Sequence, residues 1–248
     1  KTGTLTVNEM TIQNITLANG ASFDVSGEGL DLHGEVLPSS SSNVSEKSSE
    51  QSTKQALKLL TYAGSLANES YLEETPQGWQ GQGDMVDVAF LVLGSKLGIN
   101  YQEARSRYKE VGQIPYESEN AYCASVNEFK GKHMLFVKGS VEKLLTMCDF
   151  KNSSQEKAQL ELYADQLASN GYRVLGVAYK ELQQVSAQLE DELIDLSFLG
   201  MVGMIDPLRH DVIEAVSACK VAKINVAMIT GDHPKTALAL AQQAGIAT

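Results

Sequence analysis

The sequence predicts two modules of different class: a mixed antiparallel α+β domain over residues 10–195, inserted into an incomplete parallel α/β domain made of residues 1–9 and 196–248. Three observations predict it. Between Val7 and Tyr179, runs rich in Thr, Ile and Val are joined by short turn signals, Asn19-Gly20 and Lys130-Gly131-Lys132, as antiparallel neighbours are. Beyond Leu196 the order becomes apolar strand, helix, apolar strand, helix, the alternation of a doubly wound parallel sheet. The 248 residues are 43% hydrophobic, enough to fill the core of one large domain or two ordinary ones.

Val7 to Leu17 reads as a strand, and Phe23 to Val36, broken by Gly27, Gly29 and Gly34, as irregular or turning strand. Pro38 to Thr53 is almost wholly polar, can bury nothing, and reads as a mobile loop. Ser52-Thr53-Lys54-Gln55 has the form of a capping box, and Ala56, Leu60, Ala63 and Ala67 then keep helical spacing. A second helix is predicted from Asp84 through Val88, Leu91 and Val92. Tyr122–Phe129 and His133–Val137 read as paired strands, Ser140–Met147 as a short helix, and Gln155–Asn170 as a longer one stopped by Gly171. Tyr172–Tyr179 is a strand. In the last module Leu196–Met204 is the first apolar strand. Arg209–Val221 is a helix with Val212, Val216 and Cys219 on one face. Ile224–Ile229 is the second strand, and Pro234 opens a helix from its favoured first position.

Bulk chemistry narrows the function. Net charge is −11 with scattered basic residues, which disfavours nucleic acid and anionic lipid as partners; solubility alone explains the charge as a solvated acidic surface. Cys123, Cys148 and Cys219 are odd in number and in no CxxC pattern, which suits a reducing cytosol rather than a disulfide scaffold or zinc site. The most apolar stretch, Leu196–Ile205, is about half the length of a bilayer span. His33, His133, His210 and His233 show no metal-ligand pairing.

Ile229-Thr230-Gly231-Asp232 stands at the predicted carboxyl end of a parallel strand, where ligands bind in such sheets. Thr230 offers a hydroxyl, Gly231 close backbone approach and Asp232 a carboxylate; the competing reading is a helix capped by Asp232. The opening Lys1-Thr2-Gly3-Thr4-Leu5-Thr6, taken with Thr230-Gly231-Asp232, resembles the signature of P-type ATPases, whose phosphorylation motif is Asp-Lys-Thr-Gly-Thr-Leu-Thr. Further motifs resembling that family occur in the family's order. Gly83-Asp84-Met85-Val86-Asp87-Val88-Ala89 resembles Gly-Asp-Pro-Thr-Glu-x-Ala, which puts Asp87 near the adenine amino group; the alternative is a cap and a first-turn carboxylate facing the helix dipole. Pro115-Tyr116-Glu117-Ser118 resembles the segment whose aromatic ring stacks on adenine, although the basic pair that often comes after it is replaced by Asn120-Ala121. Lys138-Gly139-Ser140-Val141-Glu142 resembles Lys-Gly-Ala-Pro-Glu, with Lys138 in the pocket and Gly139 admitting the base to the backbone. Gly171-Tyr172-Arg173-Val174-Leu175 resembles Gly-x-Arg-Val-Leu, with Arg173 on the phosphates. Asp206-Pro207-Leu208-Arg209 resembles the Asp-Pro-Pro-Arg hinge and adds Asp206 and Arg209 to the nucleotide-side residues; a plain helix start is the alternative. The absence of His-Pro within residues 10–195 argues against the heavy-metal branch.

The resemblance implies an antiparallel nucleotide-binding domain inserted in a haloacid-dehalogenase-like phosphorylation domain. It implies ATP and Mg²⁺ as cofactors, with Lys1, Thr2, Thr230, Gly231 and Asp232 around the transferred phosphate and the Thr2 carbonyl on the metal. The phosphorylated aspartate would sit just before Lys1 and a second acidic motif beyond Thr248, so this stretch is expected to bind ATP without turnover, as a monomer. Its partners would be the actuator domain and membrane helices of the same pump, at the cytoplasmic face of a membrane. Type II features favour calcium as the ion. A stand-alone nucleotide sensor and a haloacid-dehalogenase-type phosphatase are the rival readings.

Overall fold

The computed structural model describes residues 3–40, 49–76, 78–150, 154–231 and 234–247. Its centre is one eight-stranded sheet in which every neighbouring pair runs antiparallel. The strands are β1 (Thr11–Leu17), β2 (Ser22–Val25), β3 (Val36–Pro38), β6 (Glu110–Glu117), β7 (Tyr122–Phe129), β8 (Lys132–Ser140), β9 (Arg173–Leu182) and β10 (Ser197–Ile205). They are ordered β3-β2-β1-β10-β9-β8-β7-β6. A separate hairpin pairs β4 (Tyr71–Thr75) with β5 (Gly78–Gln82). The turn signals act as expected. Gly20 (φ 84°) closes β1 onto β2, and Lys130 and Gly131, both at positive φ, close β7 onto β8.

Helices cover both faces. Alternation along β8 sends Phe136 into the core beneath α1 (Glu50–Leu66) and α2 (Met85–Lys96). Leu135 and Val137 face the other way, toward α4 (Val141–Met147). Behind α4 lies α5 (Ser154–Ser169), over Met201. The short α3 (Tyr101–Arg107) packs on α1 and α2. Nearly every residue from Val88 to Gly94 is buried, because α2 is enclosed by α1, β1 and the β4–β5 hairpin. Gly64 lets α1 and α2 touch: a Cβ there would lie 2.1 Å from the Phe90 ring. No described helix is long and apolar enough to cross a membrane.

Several expectations change. The capping box at Ser52 is displaced: α1 is capped three residues earlier by Ser49, whose hydroxyl accepts from the Ser52 N–H, and Glu50 then meets the helix dipole in the first turn. Half of the predicted loop over 38–53 (residues 41–48) lies outside the described residues. The parallel α/β module is not formed among the described residues. β10, expected to open it, lies between β1 and β9 and pairs antiparallel with both. With both its edges satisfied, β10 has no ladder to offer a parallel neighbour. Ile224–Ile229 forms no strand, and Ile224 and Ile229 are 57% and 87% exposed. After β10 the chain forms α6 (Val212–Val221) and α7 (Pro234–Gln243), joined by a small cluster of Val212, Val216 and Ala244 with Leu5 and Leu208. The haloacid-dehalogenase-like module therefore has no sheet of its own among the described residues.

Candidate functional site

The N-terminus of α2, the strands β6 to β9 and helix α5 surround a cavity of about 490 Å³. Its deepest ionic group is Lys138 on β8, whose side chain is 3% exposed. A lysine so buried keeps its charge only beside a partner. The partner is Asp87, whose Oδ1 accepts from Nζ at 2.5 Å, and the ammonium also sits 5.0 Å from the centre of the Phe90 ring.

Asp87 is placed by its helix. Asp84 caps α2 by accepting from the Val86 N–H at 2.8 Å, which leaves Asp87 in the first turn, where the dipole favours a carboxylate. Its second oxygen accepts from the Glu69 N–H at 3.1 Å. Both oxygens are thus engaged within the protein, each with a further lone pair that can accept a donor.

Tyr116 lies near the end of the edge strand β6 and is 54% exposed, its ring bordering the cavity. Arg173 opens β9 and also lines the cavity. Gly139 lines it too, but its missing Cβ serves the protein. A Cβ there would lie 2.4 Å from the Ala121 carbonyl and 2.7 Å from Tyr122 Cβ, so the position is bare because β8 crosses the turn into β7 closely.

The structure brings together Asp87, Tyr116, Lys138, Gly139 and Arg173, and Gly231 joins them from the loop before α7. Thr230 is not among the lining residues, and Lys1, Thr2 and Asp232 lie outside the described residues. Asp206 and Arg209 do not line this cavity. Asp206 is buried and accepts from the Thr6 hydroxyl (2.5 Å) and the backbone N–H groups of Asn8 (2.8 Å) and Glu9 (3.3 Å). Arg209 donates to the carbonyls of Gly3 (2.9 Å) and Thr6 (3.3 Å). Both take part in a clasp between the two chain crossings, where the backbone of residues 3–9 presents donors and acceptors, and Asp206 also borders a smaller cavity with Arg173 and Thr236.

Burial pushes the Cys123 thiol up from its ordinary value, against the pull of the Lys138 ammonium. Burial likewise raises the Glu110 carboxyl, with the Arg105 guanidinium opposing. Among the described residues no three His, Cys, Asp or Glu side chains group as metal ligands.

A family model described as the P-type ATPase cytoplasmic domain N matches residues 56–211. The chain belongs to the P-type ATPases. Cation-transporting ATPase pma1 of Synechocystis is 36% identical to it over 258 residues, covering 100% of this chain and 28% of that protein. Calcium-transporting ATPase 1 of Lactococcus lactis is 32% identical, covering 99% of this chain and 26% of that protein. Human calcium-transporting ATPase type 2C member 2 is 30% identical, at 99% and 25%. The chain therefore spans about a quarter of the length of these relatives.

For this P-type ATPase chain, Asp87, Tyr116, Lys138, Gly139 and Arg173 all fall inside the matched N domain. Sequence reasoning missed Asn68 and Glu69, which come just after the last turn of α1 and line the cavity beside Asp87. The available signal was an Asn one residue beyond an apolar helical run, the place of a helix-ending polar residue.

Proposed function

We propose that this chain is the ATP-binding headpiece of a cation-transporting P-type ATPase. The observation that carries this reading is the buried Lys138–Asp87 pair, in one cavity with an exposed aromatic ring and an arginine. The ring of Tyr116 supplies a stacking face for adenine, and Arg173 a forked donor for phosphate. Lys138 supplies a positive charge whose neutralising partner is already in place. The γ-phosphate would then point toward Thr230, Gly231 and Asp232, with Lys1 and Thr2 completing its surroundings. Mg²⁺ would enter with the phosphates of the nucleotide, with the Thr2 carbonyl as its expected ligand from this chain.

In this reading residues 10–205 are the nucleotide domain, and residues 1–9 with 206–248 belong to the phosphorylation domain. The pairing of β10 within the antiparallel sheet supports placing the boundary after it rather than at 195. Membrane helices and an actuator domain of the same pump are the proposed partners, at the cytoplasmic face of a membrane. The role proposed for this stretch of the pump is nucleotide binding.

Titration of the chain with Mg-ATP tests the site. Tyr116→Ala should weaken binding about tenfold, the loss of one stacked base, and more than Asp87→Ala does, since Asp87 acts through Lys138. Equal losses would remove the stacking assignment. Two of the relatives above are named for calcium, which makes calcium the ion we propose. Calcium-stimulated ATP hydrolysis by the full-length protein in membranes is expected; stimulation by another cation alone would reassign it.

A further inference from the structure

We propose that Asn68 is a positioning residue of this site, holding the Asp87–Lys138 pair in place without touching the nucleotide. The inference rests on the nucleotide-site reading of the cavity. Asn68 is 9% exposed and bridges two helices. Its side-chain NH₂ donates to the Gly64 carbonyl in the last turn of α1 at 3.2 Å. It also donates to the Asp87 carbonyl in the first turn of α2 at 2.8 Å. Its side-chain oxygen accepts from the Ser70 N–H at 2.9 Å, and its own backbone carbonyl accepts from the Arg105 guanidinium.

These bonds fix the turn through Asn68, Glu69 and Ser70, and that turn presents the Glu69 N–H to Asp87 Oδ2. One residue therefore anchors Asp87 twice, at its backbone carbonyl and, through the next residue, at its carboxylate. With Oδ2 held, Oδ1 is left to Lys138. A side chain that merely filled the junction would need no donors. Asn68 uses both N–H bonds of its amide on backbone carbonyls, and a carboxylate of the same size could make neither bond. The Lys138 ammonium lies between the Asp87 carboxylate and the Phe90 ring, so a shift of Asp87 acts on it directly.

The test uses the 248-residue chain and two readouts. Acylation of Lys138 by trace acetic anhydride at fixed pH, scored by peptide mass against the exposed Lys54, reports how firmly its ammonium is paired. In Asn68→Ala the relative rate should rise about fivefold and Mg-ATP binding should weaken about tenfold, the loss expected for one charge-assisted bond. In an Asp87→Asn background the same substitution should change ATP affinity by less than about twofold, since contacting residues couple rather than add. Should Asn68→Ala fail to fold, Asn68→Leu fills the same space without hydrogen-bonding groups or charge, with the same rise expected. An unchanged Lys138 rate, or an equal loss of affinity in both backgrounds, overturns the positioning role. A raised Lys138 rate in a chain that binds no Mg-ATP would support the positioning role and overturn the nucleotide reading instead.

Discussion

Lys138 shows how burial and chemistry combine at one residue. Its charge is tolerable because Asp87 stands beside it, and Asp87 is in turn held by a helix terminus and a backbone N–H. The neighbouring thiols feel the same burial. Cys148 is pushed up to about 12 and Cys123 is also raised, both chiefly by removal from water, whereas α6 carries Cys219 outside that core. Only the thiolate reacts with alkylating agents, and a raised folded-state value makes it scarce at every pH below that value. Mass mapping after iodoacetamide at pH 8 should therefore find Cys219 modified first, Cys123 slowly and Cys148 last. Rapid labelling of Cys148 in the folded chain would show that its wall of the sheet opens. The site residues were legible as motifs because each carries its chemistry in its own side chain. Asn68 was not, because its contribution is made through backbone carbonyls that only the fold brings together.

At the scale of elements, legibility depended on what a pattern records. The start of α2 and both ends of β7, α4 and α5 were readable from caps, turns and stop signals within a few residues. β10 was readable as a strand but not as an antiparallel one. Its apolar run records burial on both faces, and a strand central to a three-layer α/β/α arrangement looks alike whichever way its neighbours point. Ile224–Ile229 misled for the complementary reason. β-branched residues favour a strand only where a ladder and a covering face exist, and neither exists there among the described residues. The β4–β5 hairpin went unread because its strands are largely exposed and rich in Glu, Gln and Gly, which mask alternation. Gly139 was legible as a special position, and within the protein the close approach it permits is that of Ala121 and Tyr122.

At the scale of the whole molecule, the sheet and the last two helices are joined by two chain crossings. The first passes through Leu5–Val7 and the second through Pro207–Arg209. They pair where the Val7 N–H donates to the Pro207 carbonyl and the Arg209 N–H to the Leu5 carbonyl, each within 3.0 Å. Asp206 sits at the head of this ladder and collects donors from Thr6, Asn8 and Glu9. On the opposite side α7 rests on α5: Lys235 pairs with Asp165 at 2.7 Å, and the Thr236 hydroxyl donates to the Tyr172 carbonyl at 2.8 Å. These contacts bring Gly231 to the cavity wall. Asp206 thus takes part in the join, a role its motif had not suggested. Asp206→Ala leaves buried donors without their acceptor and should cost about 3 kcal/mol of stability, read as a lower denaturant midpoint. Mg-ATP affinity below the unfolding transition should stay within about twofold of the parent, since independent sites add without coupling. A tenfold loss of affinity at unchanged stability would return Asp206 to the nucleotide and make the clasp incidental.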